Sequence, residues 1–303
     1  MNVTARVRTI GAAVGAVTAL MGSAGAVEAQ QDGTFRVGQP LGTTVNGTFQ
    51  PMSSNVKVDG GVVSAESCSY DASRGLIAVV NRGVAQNQVQ NDGFISFLSH
   101  DGSVHTPIWI GITRTGLTLN QPFGSDIHDG RLYVADRDGG TSSSDPSVSV
   151  VRWFDMATGT PGGEIRIADS GGFNDIAVTA DGTIYGTQTG DPMRVYRVRP
   201  DGTWDHLVEG APLARPNGIA LDPDGNIVVV NMASADVLTF SPAGQLIRTE
   251  RAAQVGNDGL VIMPDGTKYV SSVQLGGVSR IRPGQPAELI ATSIPSAASM
   301  CYD

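Results

Sequence analysis

Several things missing from this chain narrow what it can be. It has two cysteines in 303 residues, Cys68 and Cys301, and no CxxC pair. No apolar run beyond the first 29 residues approaches the ~20 residues needed to span a membrane. Helical periodicity is absent throughout, so an all-β chain is expected. Basic residues are outnumbered, 20 Lys and Arg against 29 Asp and Glu, and no basic run or patch is visible. That excludes nucleic acid as an expected partner, because affinity there rests on many Lys/Arg contacts to phosphate, and nothing points to an anionic membrane. There is no G-x-S-x-G, no H-E-x-x-H and no phosphate-cradling Gly-rich loop joined to a helix. The four histidines, His100, His105, His128 and His206, sit at or near turns on expected outer strands, which speaks against a Ser/His/Asp triad. Trp109, Trp153 and Trp204 fall in similar positions and read as packing residues.

What is present begins with an export signal. Arg6 and Arg8 precede a short Ala- and Val-rich run, Ile10 to Met21, and small residues at Ala24-Gly25-Ala26 or Val27-Glu28-Ala29 offer a cleavage site. Residues 1–29 are therefore read as a signal peptide and the mature protein as periplasmic or secreted. Losing them would move the net charge from -9 to about -10. Residues 30–60 suit a lead-in with one or two strands, and residues 61–303 carry the repeating part.

Glycine, 39 residues, is about twice its usual share of ~7%. Seven Asp-Gly dipeptides, at 92, 101, 129, 181, 201, 224 and 265, each mark a turn between short strands. The repeat is clearest in Ala214–Asn231, ARPNGIALDPDGNIVVVN, which reads as strand, two-residue Asp224-Gly225 turn, strand. Asn174 stands seven residues ahead of Asp181-Gly182, and Asp258 seven ahead of Asp265-Gly266, as Asn217 does before Asp224-Gly225. Glu66, ten residues before Leu76, matches Asn217 before Ile227. With further starts near Ser125 and Ala298, the intervals shrink from about 59 to about 40 residues, which indicates a six-bladed β-propeller of four antiparallel strands per blade. Ala298–Asp303 is only the opening of a sixth inner strand, so the last blade is expected to be incomplete and the chain truncated there. In a closed ring the first and last repeats are neighbours. Cys68 and Cys301 are therefore either bridged or two buried free thiols.

Both ends of a hairpin lie on one face, so two rings of side chains share one mouth. The strand starts, Glu66, Asn174, Asn217 and Asp258, converge on the channel as two carboxylates and two amides. Without a cation the carboxylates would repel and one would take up a proton; with one, both stay ionised. Hard oxygen donors without His or Cys point to a divalent cation, Ca²⁺ first, Mg²⁺ or Mn²⁺ next, over Zn²⁺. The second-strand ends, Asn81, Asp136, Gln188, Asn231 and Ser272, either line a substrate pocket or are merely solvated, and Asn120 with Gln121 could overhang the channel.

The segments ESCSYD, FND, RPNGIALDPDG and NDGL, in this order and phase, resemble the gluconolactonase, regucalcin and senescence-marker family over about Gly61–Asp303. That resemblance implies a six-bladed propeller whose channel holds a divalent metal and which hydrolyses lactones. It makes Glu66, Asn217 and Asp258 metal ligands, Asn174 a contact to metal-bound water or substrate, and Asp258 also the general base. Members that bind sugar lactones often carry Arg two residues ahead of the Asn174 position, where this chain has Gly172, and Ile176 replaces the Gly expected after Asn-Asp. The expected function is an exported metal-dependent lactonase acting on a small lactone or ester. The alternative is a non-catalytic, metal-stabilised propeller that binds a small ligand or a protein.

Overall fold

The computed structural model describes residues 44–45, 48–49, 61–83, 89–111 and 115–302. The expected signal peptide and most of the lead-in lie outside them. All regular structure among the described residues is antiparallel sheet. A two-stranded hairpin, β1 (Thr44–Val45) with β2 (Thr48–Phe49), precedes five four-stranded sheets that follow chain order. Blade 1 is β3 (Ala65–Asp71), β4 (Leu76–Asn81), β5 (Phe94–Ser99) and β6 (Val104–Gly111). Blade 2 is β7 (Ser125–His128), β8 (Arg131–Asp138), β9 (Val148–Asp155) and β10 (Pro161–Ile167). Blade 3 is β11 (Ile176–Val178), β12 (Ile184–Gln188), β13 (Arg194–Val198) and β14 (Trp204–Glu209). Blade 4 is β15 (Pro216–Leu221), β16 (Ile227–Asn231), β17 (Asp236–Phe240) and β18 (Leu246–Arg251). Blade 5 is β19 (Asn257–Ile262), β20 (Lys268–Ser272), β21 (Gly277–Ile281) and β22 (Glu288–Ala291).

The second strands explain the stacking. Successive residues of a strand point to opposite faces. On β16 Ile227 and Val229 enter the core shared with blade 3, and Val228 and Val230 the core shared with blade 5. On β8 Leu132 and Val134 face blade 1, while Tyr133 and Ala135 face blade 3. A strand apolar on both faces is what a blade between two others requires. Apolar burial thus lies between the blades and leaves the channel wall free for polar residues.

Among the described residues five complete blades stand where six, the last of them incomplete, were expected. At the sixth position Ala298–Cys301 lies beside blade 5, with the Ser271 hydroxyl donating to the Ala298 carbonyl at 2.7 Å, but it forms no strand. A Cβ on Gly259 would lie 2.7 Å from that same carbonyl oxygen, so only glycine admits so close an approach. The ring is joined by a disulfide between Cys68 on β3 and Cys301, with Cα atoms 5.6 Å apart and 233 residues between them. Of the two readings of the cysteines, the bridge is the one observed.

The expected two-residue turns need correction in blades 3 to 5. There the Gly182, Gly225 and Gly266 N–H groups donate to the Thr179, Asp222 and Met263 carbonyls, and the strands close one residue later. Only the glycine has positive φ, +82°, +79° and +81°, so these are type I turns followed by a left-handed glycine. Asp129-Gly130 has positive φ at both residues and does make the two-residue turn, pairing His128 with Arg131.

Candidate functional site

The inner strands are interrupted at the residues singled out by the repeat. Pairing of β3 with β4 slips between Ala65 and Ser67, of β15 with β16 between Pro216 and Ile219, and of β19 with β20 between Asn257 and Leu260. Glu66, Asn217 and Asp258 sit in those bulges. A bulge re-aims a side chain that the regular pleat would direct elsewhere. Asn174 precedes β11, its N–H donating to the Thr187 carbonyl at 2.8 Å, and the Thr187 hydroxyl in turn donates to the Asn217 carbonyl. The four residues thus open four inner strands at one end of the channel.

In blade 2 the address belongs to Phe123, not to the expected Ser125. Gly124 N–H donates to the Asn174 carbonyl, and Gly124 approaches Asn174 as Gly218 approaches Asp258. Ser125 lies deeper, its hydroxyl within 3.0 Å of Ser67 Oγ and 2.9 Å of Ser69 Oγ. Ala298 holds the sixth address.

The electrostatics of the mouth are unusual for buried acids. The Asp258 carboxyl is pushed up to about 8 by burial and then by the nearby charges of Glu66 and Asp175, with no hydrogen bond among the causes to offset them. Burial also raises Glu66, against the pull of Arg82 and Arg137. One step further in, Asp175 rises to about 7 and Asp126 to about 6, again through burial. These two are tied across blades: Asp175 Oδ2 accepts the Ile219 N–H at 3.0 Å and Asp126 Oδ2 the Val178 N–H at 2.7 Å. They line a channel cavity of about 400 Å³ with Ser69, Ile219, Leu260 and Met300.

Whether this end of the channel suits a cation can be tested on its own atoms. Asn217 is 2% exposed and its Oδ1 has no hydrogen-bond partner. A buried acceptor left unpaired costs about 1–3 kcal/mol unless something else satisfies it. With two acids that repel each other beside it, the orphaned oxygen fits a hard divalent cation. Among the described residues no three His, Cys, Asp or Glu side chains gather around one point, because half of this set is amide.

The second-strand ends are buried rather than solvated. Asn81, Asp136, Gln188, Asn231 and Ser272 are at most 4% exposed. Asn81 Oδ1 accepts the Val63 N–H at 2.7 Å, Gln188 Oε1 that of Gly171 at 3.0 Å, and Asn231 Oδ1 that of Ala214 at 2.9 Å. Asp136 accepts from Asn120 at 2.9 Å and Gln121 at 2.6 Å, and Ser272 Oγ donates to the Val255 carbonyl at 2.7 Å. In every blade the clamped residue lies three positions ahead of the channel address. These side chains hold the incoming loop, because a loop passing through the wall must have its backbone groups satisfied. Asn120 is part of the clamp and gives its side-chain amide to Asp138, so it does not overhang the channel.

The position after each clamp was not anticipated. It holds Arg82 in blade 1 and Arg137 in blade 2, against Thr189, Met232 and Val273 in the others. Both guanidinium carbons lie over the Phe123 ring, 4.1 and 3.5 Å from its centroid. Arg137 donates from Nε and Nη2 to the Phe173 carbonyl at 3.2 and 2.9 Å, and a Cβ at Gly172 would collide with its guanidinium. Asn-Arg and Asp-Arg at one repeat address are the signal that could have found them.

A family model described as SMP-30/Gluconolactonase/LRE-like region matches residues 64–302. Among solved structures the chain is similar to a gluconolactonase from Xanthomonas campestris, at 17% identity and TM-score 0.57, covering 78% of this chain and 79% of that one. It is also similar to virginiamycin B lyase from Staphylococcus aureus, at 12% identity and TM-score 0.55, covering 80% and 89%. At such identities the likeness concerns the fold alone. No curated protein matches.

Proposed function

Because the chain belongs to the SMP-30/gluconolactonase/LRE-like family, we propose that it hydrolyses a lactone or related ester at the mouth of its channel with a divalent cation bound there. The observation that carries this reading is the buried, unpartnered Asn217 Oδ1 beside the acids Glu66 and Asp258. Glu66, Asn217 and Asp258 would hold the ion, with Ca²⁺ the first choice for such donors and Mg²⁺ or Mn²⁺ next. Bound there, a divalent cation would polarise the ester carbonyl and acidify a water. Asp258 takes the proton as the water oxygen bonds to the acyl carbon. The Asn174 amide donates to the carbonyl oxygen as it gains charge. The acyl C–O bond then breaks, and the proton passes to the departing alkoxide, leaving a hydroxy acid. The Cys68–Cys301 bridge supports placing this chemistry in an oxidising compartment, periplasmic or extracellular.

The test is turnover of a panel of lactones by the chelated protein and after adding back each ion. Turnover that returns with one ion and falls roughly 10²- to 10⁴-fold in Asp258→Asn is expected, the range for loss of a general base. Near-normal activity in that variant overturns the role of Asp258. Metal-dependent melting without turnover of any lactone overturns the hydrolase and favours a binding platform.

A further inference from the structure

We propose that Arg82 and Arg137 form an anion subsite beside the reacting position, so that the preferred substrate carries a carboxylate of its own next to the ester. The inference rests on the site reading above and adds the charge of the substrate to it.

Two guanidinium groups converge on a single Phe123 ring at one side of the mouth. Arg82 approaches Glu66 only to 3.8 Å, and at Arg137 the charges of Glu66 and Asp136 both act. Asp136 is already paired with Arg152, and Glu66 is also one of the oxygens facing the candidate cation position. Arg82 Nε is buried and has no hydrogen-bond partner. Arg137 is anchored on the Phe173 carbonyl through Nε and Nη2, which fixes its plane beside Asn174. Burial and the neighbouring Arg82 pull its pKa down to about 10, so it stays charged at neutral pH yet is penalised for it.

Charge counting sharpens the point. Glu66 and Asp258 are the acids at the mouth itself, with Asp175 one step further in. A divalent cation held by Glu66 and Asp258 would take up their charge and leave the two guanidinium groups to seek another anion. A neutral sugar lactone supplies nothing to offset them, whereas a ring carboxylate pairs with a planar guanidinium in its favoured geometry. The matching positions across the mouth, Thr189, Met232 and Val273, carry no charge, so the substrate is oriented with its anionic edge toward blades 1 and 2.

The experiment uses a matched pair: the γ-lactone of 2-hydroxyglutarate, whose ring carries a carboxylate, and its methyl amide. In wild type kcat/KM for the acid is expected to exceed that for the amide by roughly tenfold or more, the scale of one charge-assisted hydrogen bond. In Arg82→Gln the ratio collapses toward one, mainly through KM, and added salt erodes it in wild type. Arg137→Lys, which keeps the charge and loses the fork, weakens the preference in part and serves if Arg137→Gln does not fold. Calorimetric binding of 2-hydroxyglutarate to the full chain reads the subsite without turnover. Binding that is lost in Arg82→Gln supports the subsite even if no lactone is hydrolysed, in which case only the hydrolase reading fails. Turnover with equal rates for acid and amide, or 2-hydroxyglutarate binding unchanged in Arg82→Gln, overturns the subsite and leaves the hydrolase standing.

Discussion

Each hairpin of the ring brings two polar side chains toward one mouth, and the fold treats the two oppositely. The clamp at the end of the second strand is saturated: Asn231 gives its oxygen to the Ala214 N–H and its amide to the Asp236 carbonyl. Fourteen positions earlier, at the channel address of the same blade, Asn217 is about as deeply buried, yet its oxygen has no partner. Both are asparagines of blade 4. Burial therefore does not separate these two asparagines; hydrogen-bond saturation does, and a buried acceptor left unpaired calls for an explanation. The clamps carry the fold, and the channel addresses are held ready by them for something the chain does not itself supply.

The sharpest way to break that contrast is to remove a clamp. Asp136→Leu would strip the acceptor from the Asn120 and Gln121 N–H groups and leave Arg152, which also contacts Asp138 at 2.8 Å and Glu164 at 3.1 Å, with one partner fewer at its most buried end. Breaking one side of a buried ion pair costs about 3–5 kcal/mol. A denaturant midpoint shifted by that much, with the metal response of whatever still folds intact, is the expected outcome. A loss below about 1 kcal/mol would mean that the loop is held by other contacts.

How far the chain could be read without its coordinates follows the same division. The inner hairpins of blades 3 to 5 were legible, because runs such as Ile227–Val230 must serve two interfaces and the glycines of the turns are unavoidable. The turn type was not, since Asp-Gly marks both a two-residue turn and a type I turn with a left-handed glycine. The four channel addresses were legible as a phased set of oxygens. The clamps were visible as polar strand ends, but their partners are backbone N–H groups, which leave no mark on the sequence. Blade 2 was misphased by two residues because its address is Phe123, an apolar residue where the other blades have oxygen. Its purpose became visible only with Arg82 and Arg137 over its ring.

A smaller effect comes from titrating the channel. Burial raises Asp126 from the usual 3.8 to about 6. A carboxyl whose folded pKa lies above its unfolded one is protonated longer in the folded state, so stability is highest below the unfolded value. It falls as pH rises from about 4 to about 6 and is flat for this group above that. At about 1.4 kcal/mol per pH unit the limit is roughly 3 kcal/mol for this group alone, and water entering the channel would reduce it. Melting of the chelated protein across that window should therefore drop with rising pH, and Asp126→Asn should lessen the slope while Asp175 and Asp258, raised by burial in the same sense, sustain the rest. A clamp variant at a residue that does not titrate, such as Asn231→Leu, should leave it unchanged, which separates wall from channel. A profile that rises with pH over the same range would contradict the burial of Asp126.

The smallest effect on the fold is expected at Asn217, and it completes the contrast with Asn231. Asn217→Leu removes an acceptor that nothing in the chain satisfies, so in the chelated protein it should cost less than about 1 kcal/mol, because taking away an unpaired buried group can be neutral. Asn231→Leu leaves the Ala214 N–H unsatisfied and should cost about 1–3 kcal/mol. With cation present the order reverses. An ion bound only to the folded state at a hundred times its Kd stabilises by about 2.7 kcal/mol, and Asn217→Leu should lose most of that shift while Asn231→Leu keeps it. Two asparagines of one blade would then be told apart by which condition reveals them. If Asn217→Leu melts several degrees lower without any cation and responds to cation as wild type does, its oxygen is structural after all, and the metal reading of the mouth goes with it.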